Sequence, residues 1–344
     1  MFWPAYYLLI LTILYLVIRL FSTRVAIILL ALALLIQYID ASKMWLDLRA
    51  KYSAPPSTAW SNPMTDSFWR AASLQYKQVR VLMPSNSEPH WQEIASYASA
   101  HQMPTDATYL ARVSNSALKN AEQTAKTAIL TGNYDPQTLY FIVGPTLSAN
   151  GQQPLIYVNA QKDLLARVDG FAVLAPNWKT CAACPLVTSE ITAQDPLMVF
   201  GQRVMFGRNV FQTKLYLGEG WSGPEDSGVW SEGLDSTLTV PVKNGRIQKI
   251  MIEAFPMIHP LHIEQAFEVK INGIPVSMVT LSGSSNAQFI IEIPKKLQAQ
   301  LPHGRQLLTL QFHFLNPVRP IDLSLGDDTR KLGFQLRAMT IIGE

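Results

Sequence analysis

The stretch Gly220–Gly233, GWSGPEDSGVWSEG, sets two tryptophans nine residues apart, each followed by serine, among four glycines, a proline and three acids. Indole rings stack on the apolar faces of pyranoses, while carboxylates and guanidinium groups exchange hydrogen bonds with the sugar hydroxyls. Binding pockets of this kind combine aromatic walls with a few placed polar groups. On that reading Trp221 and Trp230 are platforms, Glu225 accepts from hydroxyls, and the distant Arg330 donates in bidentate fashion. The competing reading puts both tryptophans in a core, uses the glycines for a tight corner, and pairs Glu225 with Arg330 to cap it. A catalytic use of Glu219, Glu225, Asp226 and Glu232 requires two carboxyls flanking a sugar bond. Proximity within one turn does not supply that geometry, so surface acids are expected.

Cys181-Ala-Ala-Cys184 holds the only two cysteines of the chain. A C-x-x-C serves a redox pair, half a zinc site or a short bridge. Zinc would require further ligands, and the nearest histidine pair, His259 and His262, lies in a proline-containing turn. Trp178 stands three positions before Cys181, not immediately before it, and Pro185 opposes a long helix after the pair. A structural disulfide between Cys181 and Cys184 is the expectation for an oxidising compartment. No glycine-rich dinucleotide loop, Walker-type loop or G-x-S-x-G elbow occurs, so no cofactor and no metal are expected.

The elements that must position these residues begin with a membrane segment. Only 15% of the 344 residues are charged and 48% are hydrophobic, against a charged share of about a quarter in soluble chains. The apolar excess lies in residues 2–18 and 25–39, two runs without charge. Each is near the lower length for a spanning helix, about 17 residues. The start lacks the basic residues of a signal peptide, so a transmembrane hairpin is expected over 1–42. Arg19 and Arg24 lie between the runs and place that connection in the cytoplasm. Everything after Asp40 is then extracytoplasmic. The net charge of +3 is dispersed, which opposes a nucleic-acid partner.

Residues 43–74, rich in proline and serine near 51–63, read as an extended juxtamembrane connector. Over 75–200, strand candidates at 75–84, 107–113, 138–144, PLIYVNA and DGFAVLAP alternate with helices at 88–102 and 116–132. Ser114 or Asn115 is expected to cap the second helix and Gly132 to stop it. This order predicts a small α/β domain with a mostly parallel, Rossmann-like sheet. Over 201–344 short alternating runs, from NVFQTKLYL to LGFQLRAMTII, predict a β-sandwich or jelly roll. Asn272-Gly273 marks a two-residue hairpin.

YLGEGWSGPEDSGVWSEG (216–233), INGIPV (271–276) and FLNPVRPIDLSLGDDTRKLGFQL (314–336) together resemble a β-sandwich module of bacterial surface-polysaccharide and glycosyltransferase-related proteins. With FWPAYYLLILTIL, LRAKYS, YLARVS and DPQTLYFIVG, the chain resembles the C-terminal part of an uncharacterised bacterial family of multipass, glycosyltransferase-like membrane proteins. The resemblance implies the last two membrane helices, a Rossmann-like domain and a jelly roll, with catalytic acids in earlier loops outside this sequence. The resulting expectation is an accessory protein of envelope glycan assembly, in the bacterial inner membrane and not itself catalytic. It would bind an envelope glycan or lipid-linked sugar, or dock on a membrane glycosyltransferase. A glycan-modifying hydrolase or transferase using the acids at 219–232 and a purely structural assembly module are the alternatives.

Overall fold

The computed structural model describes residues 3–52, 62–144, 153–180, 185, 189–243, 245–283, 285–298 and 304–344. Two compact units are present, Met1–Ser61 and Asn62–Glu344. In the first, helix α1 spans Trp3–Leu20 and helix α2 spans Thr23–Tyr52. Their leucines, isoleucines and tyrosines face outward almost without exception, Leu34 at 71% exposure among them. A helix apolar on all sides needs an apolar surrounding. Within α2, Thr23–Arg49 is long and apolar enough to cross a membrane or to serve as a signal sequence. The apolar part of α1, Pro4–Leu20, is shorter, so the expected pair of spans is met in length by one helix. Residues 43–52, expected in an extended connector, continue α2 instead.

The second unit opens with helix α3 (Ser67–Gln75), also drawn from the expected connector. Its N-cap Asp66 accepts from the Phe68 N–H, and Phe68, Trp69 and Ala72 are buried. There follow β1 (Gln78–Val81), α4 (Trp91–Ala100), α5 (Asn115–Thr131), β2 (Thr138–Ile142), β3 (Leu164–Val168) and β4 (Phe171–Ala175). Helix α5 starts at Ser114, whose hydroxyl accepts from the Ala117 N–H, and ends at Gly132 in the left-handed region. Its helical extent matches the sequence reading.

The sheet order is β1-β2-β4-β3. The expectation of a mostly parallel sheet is corrected: β1 and β2 run parallel, whereas β2/β4 and β3/β4 are antiparallel. The cause is Asp169-Gly170, both at positive φ (47° and 87°). They form a two-residue turn that folds β3 directly onto β4, so no crossover helix intervenes. Residues 107–113 and PLIYVNA, expected as strands, make isolated bridges alone.

Alternation along β2–β4 separates two cores. Leu139, Phe141, Val173 and Ala175 face the aromatic cluster of α3 and α4, where Trp69 stacks on Phe141 with centroids 5.5 Å apart. Ile142, Ala172, Leu174 and Leu165 face the other way and join Ile129 and Leu130 of α5 in one continuous core with the β-sandwich. The two parts of this unit therefore share buried surface.

The sandwich comprises β5 (Arg203–Met205), β6 (Val229–Glu232), β7 (Asp235–Val242), β8 (Ile247–Pro256), β9 (Glu264–Ile271), β10 (Ile274–Ser282), β11 (Ala287–Glu292), β12 (Gln306–Phe314) and β13 (Leu332–Gly343). Short helices α6 (Phe211–Tyr216) and α7 (Lys295–Gln298) and a 3-10 turn at Pro320–Leu323 complete it. One sheet has the order β10-β9-β12-β7 and the other β11-β8-β13-β5, with β6 also on β13. NVFQTKLYL, expected as a strand, holds α6: Leu215 and Tyr216 are buried from one helical turn. Asn272 and Gly273, at φ of 50° and 81°, form the expected hairpin turn between β9 and β10.

Candidate functional site

The GWS…WS segment is itself a hairpin. Trp221 bridges Ser231, the Ser222 N–H donates to Trp230 O at 2.9 Å, and the Glu225 N–H donates to Gly228 O at 2.8 Å. At Gly220 (φ 77°) a Cβ would be driven into the Asp235 carbonyl oxygen, so only glycine fits the corner. The serines that follow the tryptophans are structural. Ser231 Oγ, fully buried, accepts from the N–H groups of Gly333 and Phe334 at 3.1 Å each. Ser222 Oγ donates to Glu232 at 3.0 Å.

The two tryptophans part company across this hairpin. Trp221 points into the sandwich, with ring centroids 6.2 Å from Phe312 and 6.1 Å from Phe334. Its Nε1–H donates to Thr237 O at 2.6 Å. Trp221, expected as a platform, is partly buried and packs this way against the sandwich core. Trp230 has the opposite parity: Val229 and Ser231 are buried, and Trp230 is partly exposed on the outer face of the β8–β13 sheet.

There Trp230 heads a row across three strands. Gln335 of β13 lies opposite Trp230 of β6 on one side and opposite Phe255 of β8 on the other. The Trp230 and Phe255 rings stand nearly perpendicular, 6.2 Å between centroids and 81° between planes. One residue further along β13 a register shift between Leu336 and Ala338 leaves Arg337 as an extra, bulged residue. Such bulges re-aim a side chain. Here the bulge carries the Arg337 guanidinium over the Phe255 ring, 5.0 Å from its centroid.

A polar chain fixes this arrangement. Arg337 Nε donates to Gln335 Oε1 at 3.2 Å, and Arg337 Nη1 donates to Asn286 Oδ1. Gln335 Nε2 donates to Glu225 Oε2 at 3.0 Å and to Ser227 Oγ at 3.1 Å. The amide is thus held between a cation and a carboxylate, which sets its orientation. Glu225 lies beside this row through its bond to Gln335. It does not pair with Arg330, which instead chelates Asp328 through Nε (3.0 Å) and Nη2 (2.6 Å) and holds that carboxylate below the usual range. Arg330 remains within electrostatic reach of Glu232 and Glu225.

Of the other acids in the segment, Asp226 lies 3.7 Å from Arg208 and Glu232 accepts from Ser222. Cys181 and Cys184 lie outside the described residues, as does any bridge between them. Phe255, Asn286, Gln335 and Arg337 were not anticipated from sequence. The signal for Gln335 and Arg337 was the alternation in FQLRA: two long polar residues, two apart, interrupt a largely apolar strand.

A separate cavity of about 370 Å³ opens beside the carboxyl end of β2, lined among others by His90, Glu93, Arg167, Asp169 and Phe171. Asp169 Oδ2 is already occupied there by the N–H groups of Thr65 (2.6 Å), Asp66 (2.9 Å) and the Trp69 indole (2.9 Å).

Residues 68–176 match the family described as the DUF6311 C-terminal domain. No curated protein matches the chain. Among solved structures, the CBM36-1 domain of a multidomain xylanase from the hindgut metagenome of Trinervitermes trinervoides is similar at 12% identity. The match covers 42% of this chain and 97% of that one with a TM-score of 0.25. A carbohydrate-binding module CBM36 in complex with calcium and xylotriose matches at 12% identity, over 41% of this chain and 98% of its own, TM-score 0.23. A family two carbohydrate esterase from Clostridium thermocellum in complex with cellohexaose matches at 11% identity, over 36% of this chain and 29% of its own, TM-score 0.23.

Proposed function

We propose that this protein binds glycan on the outer face of the β8–β13 sheet, as a membrane-anchored, extracytoplasmic accessory of envelope polysaccharide assembly. The observation that carries the reading is the row Trp230–Gln335–Phe255, with Arg337 and Glu225 at its ends. An aromatic surface flanked by fixed donors and acceptors suits a pyranose: the ring's C–H face lies on the indole, and its hydroxyls meet the Glu225 carboxylate and Arg337 guanidinium that the buried Gln335 amide holds in place. Preorganisation supports the same reading, since Gln335 and Arg337 are held by neighbours before any ligand arrives.

The membrane part of the proposal rests on α2, on the apolar exterior of α1, and on Arg19 and Arg24 between them. With that connection in the cytoplasm, the sandwich faces outward. A multipass glycosyltransferase, with its lipid-linked sugar, is the partner proposed in the membrane. The test is calorimetric titration of the full chain in detergent micelles with oligosaccharides from bacterial envelopes. Saturable binding, lost in a folded Trp230→Ala variant and kept when Arg330 is replaced by Gln, is the expected result. Binding unaffected by Trp230→Ala would place the glycan elsewhere and overturn this assignment.

A further inference from the structure

Resting on that reading of the face, we infer that the glycan it takes is acidic, with a sugar carboxylate held by Arg337. At the two ends of the row, Glu225 and Arg337 each meet the neutral Gln335 amide, whereas the charges around them are matched. Glu253, opposite the bulge on β8, is neutralised by Arg203 through Nε–Oε1 and Nη2–Oε2 contacts of 2.5 and 2.6 Å. Asp328 and Arg330 neutralise one another, as do Arg319 and Asp322. Arg337 forms no ion pair among the described residues. Its acceptors, Gln335 and Asn286, are neutral amide oxygens, and Nη2 has no acceptor among the described residues.

A guanidinium in that condition retains its full positive charge and free N–H groups. One face of it is covered by Phe255, which removes water from that side and strengthens attraction to an anion on the other. Its planar fork matches a carboxylate in two parallel hydrogen bonds, a geometry a neutral hydroxyl cannot reproduce. Gln335 separates this cation from Glu225. The two ends of the row therefore offer different chemistry: Glu225 accepts from hydroxyls beside Trp230, and Arg337 receives the anion beside Phe255. A hexuronate within a polysaccharide presents both, a C–H face for the indole and a carboxylate at the ring edge.

The test uses the full chain in detergent micelles with two probes of one skeleton, tetragalacturonate and its fully methyl-esterified form. A sulfated tetrasaccharide separates carboxylate from anionic charge in general. Tetragalacturonate is expected to bind about tenfold more tightly than the ester, the size of one charge-assisted pair, with the sulfated probe between them and the preference shrinking as salt rises. Arg337→Gln should bring acid and ester to the same affinity and so erase the preference, and Arg337→Lys should retain part of it. Should Arg337→Gln fail to fold, the Lys variant and the salt series still decide. Equal affinity for acid and ester in the unaltered protein overturns the inference and leaves the glycan face standing. Binding of both that survives Trp230→Ala overturns the reading on which it rests.

Discussion

The guanidinium of Arg305 lies 4.0 Å from the ring centroid of Tyr157 and fastens the sandwich to the α/β layer. From the start of β12 it donates to Leu130 O at the end of α5 (2.6 Å) and to Asp195 Oδ2 (2.9 Å). Its side chain is 15% exposed and that of Asp195 44%, so solvent screens the ion pair more than the bond to Leu130. Arg305→Ala strands a helix-terminal carbonyl and a carboxylate together. It should cost about 1–3 kcal/mol, less than a fully buried pair. Denaturant unfolding of the full chain in detergent checks this. Arg305→Met, which keeps most of the packing on Tyr157, is expected to fall between the two.

The tryptophans of the GWS…WS hairpin should separate in a stability experiment. Trp221→Ala removes a partly buried ring packed on Phe312 and Phe334 together with its bond to Thr237 O, at a cost of about 3 kcal/mol. Trp230→Ala removes a partly exposed ring whose main neighbour is Phe255, at a cost of about 1 kcal/mol. Thermal melts of the two variants side by side give the comparison. Near-equal losses would contradict the opposite facing of the two side chains.

Asp169 should govern part of the acid limb of stability. Its carboxylate is held below the usual range, first by the Asp66 N–H and then by the Trp69 indole and Thr65 N–H. A depressed folded-state value contributes stability above the unfolded value, near 4, which is lost as pH falls through the folded value. Asp169→Asn should therefore be less stable than the unaltered chain at pH 7, with the gap closing below about pH 4. Urea midpoints across pH 2–7 measure it. A gap independent of pH would show that the charge does not matter.

What the sequence disclosed depended on how local the deciding physics was. The α5 cap at Ser114 and stop at Gly132, and the Asn272-Gly273 turn, are set by residues adjacent in the chain, and they were legible. The sheet order was not, because Asp169-Gly170 reads as the start of the run DGFAVLAP, and the short strand Leu164–Val168 before it does not stand out from its neighbours. NVFQTKLYL looked like a strand because β-branched and aromatic residues dominate it, yet burial of Leu215 and Tyr216 against β7 selects one helical turn. At the site, Trp221 and Trp230 are alike in local sequence. Only the hairpin register, Trp221 opposite Ser231, decides which ring turns inward. Arg337 escaped notice because its position depends on a bulge between β13 and β8, strands far apart in the chain.

Glu88 should make the fold more stable when its charge is removed. It is 5% exposed in the loop before α4, Oε1 has no hydrogen-bond partner, and Ser85 Oγ is 3.3 Å from Oε2. Burial raises its pKa above the ordinary carboxylate range, and Asp106 adds to the rise, while Ser85 and His90 oppose it. For an acid raised on folding, the folded state binds more protons than the unfolded one. Stability is then lost as pH climbs from the unfolded value, near 4.3, through the folded one. Glu88→Gln keeps the shape and the contact to Ser85 without the charge. It should melt at a higher temperature than the unaltered protein at pH 7 and at about the same temperature near pH 4. A lower melting temperature at pH 7 would mean that the ionised carboxylate has a partner it cannot replace.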